Sequence, residues 1–187
     1  MVTPATVTPA TLTPATGLIQ IYTGSGKGKT SAALGLMLRA AGHGLRVAMI
    51  QFMKEQKISG ELEILKRLEP ICRVECFGGV GWVCKGSNLD THKQEADNAL
   101  KQAQEILLSG DWDVVVLDEI FNALWFELIP EQDVLALLEQ KPPQVELVLT
   151  GRNASPPFLE KADLVTEMRE IKHPFQRGIK ARPGIEY

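Results

Sequence analysis

The sequence contains few of the cysteines that a disulfide framework or a metal centre needs. Its three cysteines, Cys72, Cys76 and Cys84, are an odd number and lack the paired spacing of a disulfide scaffold. We therefore expect a reducing compartment. A zinc or iron–sulfur site would need a fourth ligand, and none is evident near these cysteines. Cys72 and Cys76 lie four residues apart in an expected strand, so both should face the core as small residues.

Long apolar runs and a strong charge of either sign are also absent. No run approaches the roughly 20 apolar residues that span a bilayer, and the N-terminus lacks the charged and hydrophobic blocks of a secretion signal. The 20 basic and 23 acidic residues give a formal net charge of −3, which provides no electrostatic reason to expect a nucleic-acid or membrane partner. We expect a cytoplasmic protein.

The first 17 residues differ in composition from the rest of the chain. They consist of three near-copies of Thr-Pro-Ala-Thr. A proline every five residues prevents a regular helix or a central strand, so we expect residues 1–17 to be a disordered tail. Residues 18–187 are expected to form one domain, in a chain that is 44% hydrophobic.

A glycine-rich turn stands between the first expected strand, residues 18–22, and a helix expected over residues 31–41. The turn consists of Gly24, Ser25, Gly26, Lys27, Gly28, Lys29 and Thr30. Glycines let main-chain amides approach phosphate oxygens, and the amides at the helix start, at Ser31, add the positive end of the helix dipole. We expect Lys29 to contact the terminal phosphates of ATP and Thr30 to bind Mg²⁺ or Mn²⁺.

The turn departs from the usual phosphate-loop pattern at one position. Thr23 stands where a glycine is usual. The alternative interpretation is a strand-to-helix turn without a ligand. Two lysines and a threonine expected to cap the helix favour an anion site over that alternative.

Strand-like and helix-like segments alternate through the rest of the domain. Strands are expected at residues 46–52, 71–77, 113–117, 145–150 and 164–169, and helices at residues 60–69, 90–108, 121–128 and 131–139. This alternation predicts an α/β fold with a single doubly wound, mostly parallel sheet and helices on both faces, as in RecA-like P-loop NTPases.

Charged residues follow two of the expected strands. Asp118 and Glu119 follow residues 113–117 and should complete the metal site begun by Thr30, although an acidic pair there could instead cap the next helix. Arg152 follows the strand 145–150, where it could reach a phosphate or the ribose, or could be a surface arginine in a tight turn.

Several motifs together resemble the P-loop type of ATP:corrinoid adenosyltransferase, over residues 18–187. They are the loop 23–30, Gln51-Phe52-Met53-Lys54, Leu117-Asp118-Glu119, Thr150-Gly151-Arg152, Lys172-His173-Pro174-Phe175, Gly178-Ile179-Lys180-Ala181 and Gly184-Ile185-Glu186-Tyr187. A phosphate loop without its first glycine is a trait of that family.

The resemblance implies a substitution at the ribose of ATP. The Co(I) of a reduced corrinoid attacks the 5′ carbon and expels triphosphate, in adenosylcobalamin biosynthesis or salvage. Lys29 and Glu119 are the implied catalytic residues beside the loop amides, with the cation held by Thr30, Glu119 and Asp118.

The resemblance also implies how the corrinoid is bound. The loop 78–85 corresponds to the loop that presses apolar side chains on the corrinoid, which makes Trp82 the implied third catalytic residue. The family usually carries Phe, a small residue and Trp there, whereas this chain has Trp82-Val83-Cys84. An electron donor such as a flavoprotein and a homodimer are further implications.

Two other functions fit the same motifs. A RecA-like ATPase or kinase that cleaves the γ-phosphate would use the acidic pair after residues 113–117 to orient water. A non-enzymatic nucleotide- or corrinoid-binding module would use the loop for binding alone.

Overall fold

The computed structural model describes residues 16–54, 60–79 and 89–186, which form one six-stranded sheet. The strands are β1 (Ile19–Thr23), β2 (Val47–Phe52), β3 (Cys72–Phe77), β4 (Val114–Asp118), β5 (Glu146–Thr150) and β6 (Leu164–Glu167). Their spatial order is β3-β2-β4-β5-β1-β6, and every neighbouring pair is parallel. The predicted parallel α/β sheet is confirmed.

Helices cover both faces of the sheet. In the described residues they are α1 (Lys29–Gly42), α2 (Gly60–Lys66), α3 (Asp90–Leu108), α4 (Ile120–Trp125), α5 (Glu131–Glu139), α6 (Pro156–Lys161) and a 3₁₀ helix (Pro174–Arg177). None of these helices is long and apolar enough to cross a membrane.

Alternate residues of each central strand face opposite layers of the core. On one side Met49, Val116 and Val148 pack with Met37 of α1 and Leu65 of α2. The other side of the same strands packs against α3, α4, α5 and α6. Burial on both faces explains the uninterrupted valine run of β4, all five residues of which are buried. Cys72 and Cys76 are buried, as predicted.

One prediction about the ends of the domain is wrong, and two of its elements were not predicted. Gly17, assigned to the tail, is buried, and its N–H donates to the Pro143 carbonyl at 2.7 Å, so it belongs to the fold. Helix α6 was not predicted, because its first two residues are prolines that resemble a turn. The C-terminal segment, for which no helix or strand was predicted, contains the 3₁₀ helix Pro174–Arg177.

The parallel arrangement places the motifs of the sequence along one edge of the sheet. The carboxyl ends of β1, β2, β4 and β5 all lie at this edge, which is where parallel sheets bind ligands.

Candidate functional site

The turn between β1 and α1 is built on two glycines in the left-handed conformation. Gly24 has φ 99° and Gly28 has φ 119°, values that residues with a Cβ rarely adopt. Gly28, not Thr30 as predicted, is the N-cap of α1, so the helix begins two residues earlier than expected. The first amides of a helix have no partner within it, so the start of α1 presents donors to an anion.

The end of β6 and the residue that follows it, Met168, hold this turn in place. The Gly26 amide donates to the Met168 carbonyl at 2.7 Å and is therefore already bonded, although we expected it to be free for phosphate. Thr23 is the last residue of β1 and pairs with Glu167 of β6. Because the chain is still a strand at Thr23, that position does not require the usual glycine.

Lys29 is the most deeply placed cation of the turn. The residue is 6% exposed, and its Nζ donates to the carbonyls of Gly24 and Gly26, both at 2.8 Å. Burial lowers the pKa of this ammonium, while the carboxylate of Glu119 acts in the opposite direction. The ammonium thus lies inside the turn, where it can exchange carbonyl oxygens for phosphate oxygens.

Asp118 connects the end of β4 with the start of α1. It is 1% exposed, and its Oδ1 accepts a hydrogen bond from the Thr30 hydroxyl at 2.9 Å. When the Thr30 proton points at Asp118, the lone pairs of the hydroxyl oxygen are directed away from Asp118 and remain available to a cation. The predicted proximity of Thr30 and the acidic pair is confirmed.

Glu119 combines an unusual backbone with an unpaired carboxylate oxygen. Its φ is 61°, uncommon for a residue with a side chain, and its buried Oε2 has no hydrogen-bond partner among the described residues. Burial raises the pKa of this carboxyl, and the charge of Asp118 raises it further, while Lys29 and Arg152 lower it. Strain and an unsatisfied oxygen at one residue are typical of a binding position.

A divalent cation fits these oxygen donors. Within the described ranges, no three His, Cys, Asp or Glu side chains cluster closely enough to hold a metal by themselves. Mg²⁺ is commonly held by one or two protein oxygens together with phosphates and water, which matches Thr30 and the unpaired Oε2 of Glu119.

These groups line a cavity of about 310 Å³. It contains residues predicted from the turn, Ser25 to Ser31, together with Glu119 and the exposed Arg152, whose backbone N–H donates to Asn122 Oδ1 at 2.8 Å. Arg152 therefore lies at the same cavity as the turn. Its contact with a phosphate or the ribose stays a prediction.

The C-terminal segment also lines the cavity, which the sequence interpretation missed. The Nζ of Lys27 donates to the Ile185 carbonyl at 2.8 Å and to Glu186 Oε1 at 3.1 Å. Hydrogen bonds from Arg182 are the main reason that the pKa of Glu186 falls to about 2, and the bond from Lys27 adds to this effect. The only available signal was the motif 184–187, for which no role was predicted.

The corrinoid contacts predicted from the sequence lie outside the described residues. Trp82, Val83 and Cys84 belong to the stretch 80–88. The assignment of Trp82 to the corrinoid therefore stays a prediction.

We expect Gly24→Ala to weaken both the fold and nucleotide binding. A Cβ at this position would lie 2.4 Å from the Met168 carbonyl oxygen, on a backbone with φ 99°. The free energy of unfolding should fall by about 1–3 kcal/mol, measured by urea denaturation, and ATP affinity should fall with it.

The matched control is Gly35→Ala in α1, where a Cβ meets nothing within 4 Å. This change should raise the free energy of unfolding by about 1 kcal/mol through helix propensity. Equal stability of the two variants would contradict the steric account of the turn.

Comparison with known proteins finds similarity to one family. Residues 15–187 match the family model described as ATP:corrinoid adenosyltransferase BtuR/CobO/CobP. A corrinoid adenosyltransferase of Sinorhizobium sp is 40% identical over 174 residues, covering 91% of this chain and 80% of the relative. Corrinoid adenosyltransferases of Pseudomonas aeruginosa and Escherichia coli K12 are 38% and 36% identical, again over 91% of this chain and over 84% and 86% of their own lengths.

Proposed function

Since the chain belongs to the family of ATP:corrinoid adenosyltransferases, we propose that it joins the 5′-deoxyadenosyl group of ATP to the Co(I) of a reduced corrinoid and releases triphosphate. As a member of that family it is an enzyme that transfers an adenosyl group from ATP to a corrinoid. The proposal that Co(I) attacks and triphosphate leaves rests on one observation. Lys29, Thr30 and Glu119 line the same cavity.

The turn binds the polyphosphate of ATP as a leaving group. Lys29 transfers its hydrogen bonds from the carbonyls of Gly24 and Gly26 to phosphate oxygens, while the first amides of α1 donate to the same group. These donors are fixed before the reaction and stabilise the charge that grows on the triphosphate as it departs.

The reaction is a displacement at the 5′ carbon. The cobalt electron pair forms the carbon–cobalt bond, the bond between C5′ and its oxygen breaks, and that electron pair leaves with the triphosphate. The cobalt is formally oxidised from Co(I) to Co(III), so the step needs no further oxidant or base. The protein has to hold C5′ in line with the cobalt and neutralise the leaving group.

Thr30 and Glu119 are the residues that would hold Mg²⁺ or Mn²⁺ on the phosphates, with Asp118 orienting Thr30. The cation would supply positive charge to the leaving group. Because the Thr30 hydroxyl donates to Asp118 at 2.9 Å, we assign Asp118 to the orientation of Thr30. The direct ligation by Asp118 that the sequence resemblance implies stays a prediction.

Three further parts of the proposal come from the family resemblance. Trp82 contacts the corrinoid, an electron donor such as a flavoprotein supplies Co(I), and the enzyme is a homodimer. The acceptor is a corrinoid, whether complete or an earlier ring intermediate.

The test is a product analysis under anaerobic conditions with ATP, Mg²⁺ and a chemically reduced corrinoid. Triphosphate should appear in equal amount to a light-sensitive adenosylated corrinoid, and neither should form without the corrinoid. Steady release of ADP and phosphate without corrinoid would instead indicate the RecA-like ATPase. Binding of ATP with no product would indicate a binding module.

A further inference from the structure

A row of buried polar side chains crosses four adjacent strands at the edge that carries the site. Each strand contributes one member: Cys76 of β3, Gln51 of β2, Asp118 of β4 and Thr150 of β5. Gln51 lies beside Cys76 on one side and beside Asp118 on the other in the sheet register. Gln51 and Thr150 are 0% exposed, and neither has a part in the reaction described above.

Hydrogen bonds join the row from end to end. The Cys76 thiol donates to Gln51 Oε1 at 3.1 Å, and Gln51 Nε2 donates to Asp118 Oδ2 at 3.1 Å. On the opposite side, the Thr150 hydroxyl donates to Asp118 Oδ1 at 2.7 Å. Both oxygens of Asp118 are thereby fixed by neighbours, and Oδ1 also receives the Thr30 proton.

Thr150 acts on both acidic residues at once. Its Oγ1 donates to Asp118 and accepts the backbone N–H of Glu119 at 2.9 Å. That N–H belongs to the residue held at φ 61°, so this hydroxyl helps to keep the strained backbone that places the Glu119 carboxylate.

We propose that Gln51 and Thr150 are positioning residues for the divalent cation: through Asp118 they hold the Thr30 hydroxyl with its lone pairs toward the phosphates. Thr150 does the same for Glu119 through its backbone. The inference rests on the proposed function, because it takes the cation site from it. Because the side chains of this row are buried, a member that loses its hydrogen-bond partner must rearrange. Removal of Gln51 or of the Thr150 hydroxyl should therefore change how Asp118 holds Thr30.

The experiment compares Thr150→Val, which removes the hydroxyl at nearly constant shape, with Thr150→Ser, which keeps it. Titration calorimetry gives the dissociation constant of ATP with saturating Mg²⁺ and again with EDTA. The constant in EDTA divided by the constant in Mg²⁺ is the ratio that measures how much the cation strengthens binding. Outer-shell partners of a metal site typically contribute about 10- to 100-fold to affinity. Thr150→Val should therefore lower the ratio by about 10-fold, with ATP binding in EDTA within about threefold of wild type.

Gln51→Met provides an independent variant, because it removes the amide from the other side of Asp118 while keeping the side-chain length. It should lower the ratio as Thr150→Val does, and Thr150→Ser should restore the wild-type ratio. Circular dichroism and thermal unfolding identify any variant that fails to fold, in which case the remaining one decides.

Three outcomes would overturn the inference. They are an unchanged ratio in both Thr150→Val and Gln51→Met, an equal loss of binding with and without Mg²⁺, and a wild-type protein whose ATP binding the cation does not strengthen. None of them alters the product analysis of the wild type, so failure of this inference is distinguishable from failure of the proposed function.

Discussion

Lys29→Met should reduce adenosyl transfer by about 10²- to 10³-fold, the usual effect of removing one preorganised donor from a developing negative charge. The Lys29 ammonium is buried inside the turn, and its Nζ donates to two loop carbonyls at 2.8 Å. Its removal should therefore remove the proposed contact with the phosphates. ATP should also bind about 10- to 100-fold more weakly, since a charge-assisted hydrogen bond is lost. Single-turnover kinetics with prereduced corrinoid and calorimetry with MgATP measure the two effects.

Lys27→Met is the matched control, because both lysines belong to the same turn. The side chain of Lys27 is 47% exposed and forms an ion pair with Glu186 at 3.1 Å, so it contributes through solvent-screened contacts. Its loss should reduce turnover by less than about 10-fold. A Lys27→Met variant as defective as Lys29→Met would contradict the assignment of Lys29 as the main phosphate contact.

Glu119→Gln should raise the stability of the protein and lower its activity. The change removes a charge whose buried Oε2 lacks a partner, so the free energy of unfolding at neutral pH should rise by on the order of 1 kcal/mol. Turnover in Mg²⁺ should fall about 10²-fold, because a neutral amide binds a hard cation poorly. Urea denaturation without nucleotide and steady-state assays measure the two changes.

The gain in stability should depend on pH in a defined direction. The pKa of Glu119 in the folded protein is raised above the ordinary value of 4.5, so the folded state holds the proton more tightly than the unfolded state. Below pH 4.5 the wild type and Glu119→Gln should therefore differ little. Above it, as the pH rises through the folded pKa, the wild type loses stability relative to the variant. A difference that stays constant from pH 4 to pH 8 would show that the buried charge is not the cause.

Local patterns in the sequence were sufficient to predict the sheet. The valine run of β4 and the amphipathic pattern of α3 were predicted almost to the residue, because a strand buried on both faces and a long one-sided helix each have a clear periodicity. Short elements were less well predicted. Helix α4 was expected over residues 121–128 but ends at Trp125, since Glu127 adopts φ 55°.

The site residues that belong to a recognisable motif could be predicted from the sequence. The contacts that form only when distant segments fold together could not. The turn and the acidic pair of β4 have recognisable spacing, so their residues were named correctly as neighbours. No local pattern could show that Lys27 meets Glu186, 159 residues away, or that Gln51 and Thr150 hold Asp118 from two other strands. Such contacts arise only when parallel strands bring distant segments to the same edge.

The central claim, that the turn holds the polyphosphate as a leaving group while the ribose carbon reacts, is tested most directly with ATP carrying ¹⁸O at the oxygen between C5′ and the α-phosphorus. After a single turnover with reduced corrinoid, mass spectrometry of the products should find the label in the released triphosphate. The adenosylated corrinoid should carry none at C5′. Label retained in ADP, or on the adenosyl product, would contradict cleavage at the carbon–oxygen bond and with it the proposed function.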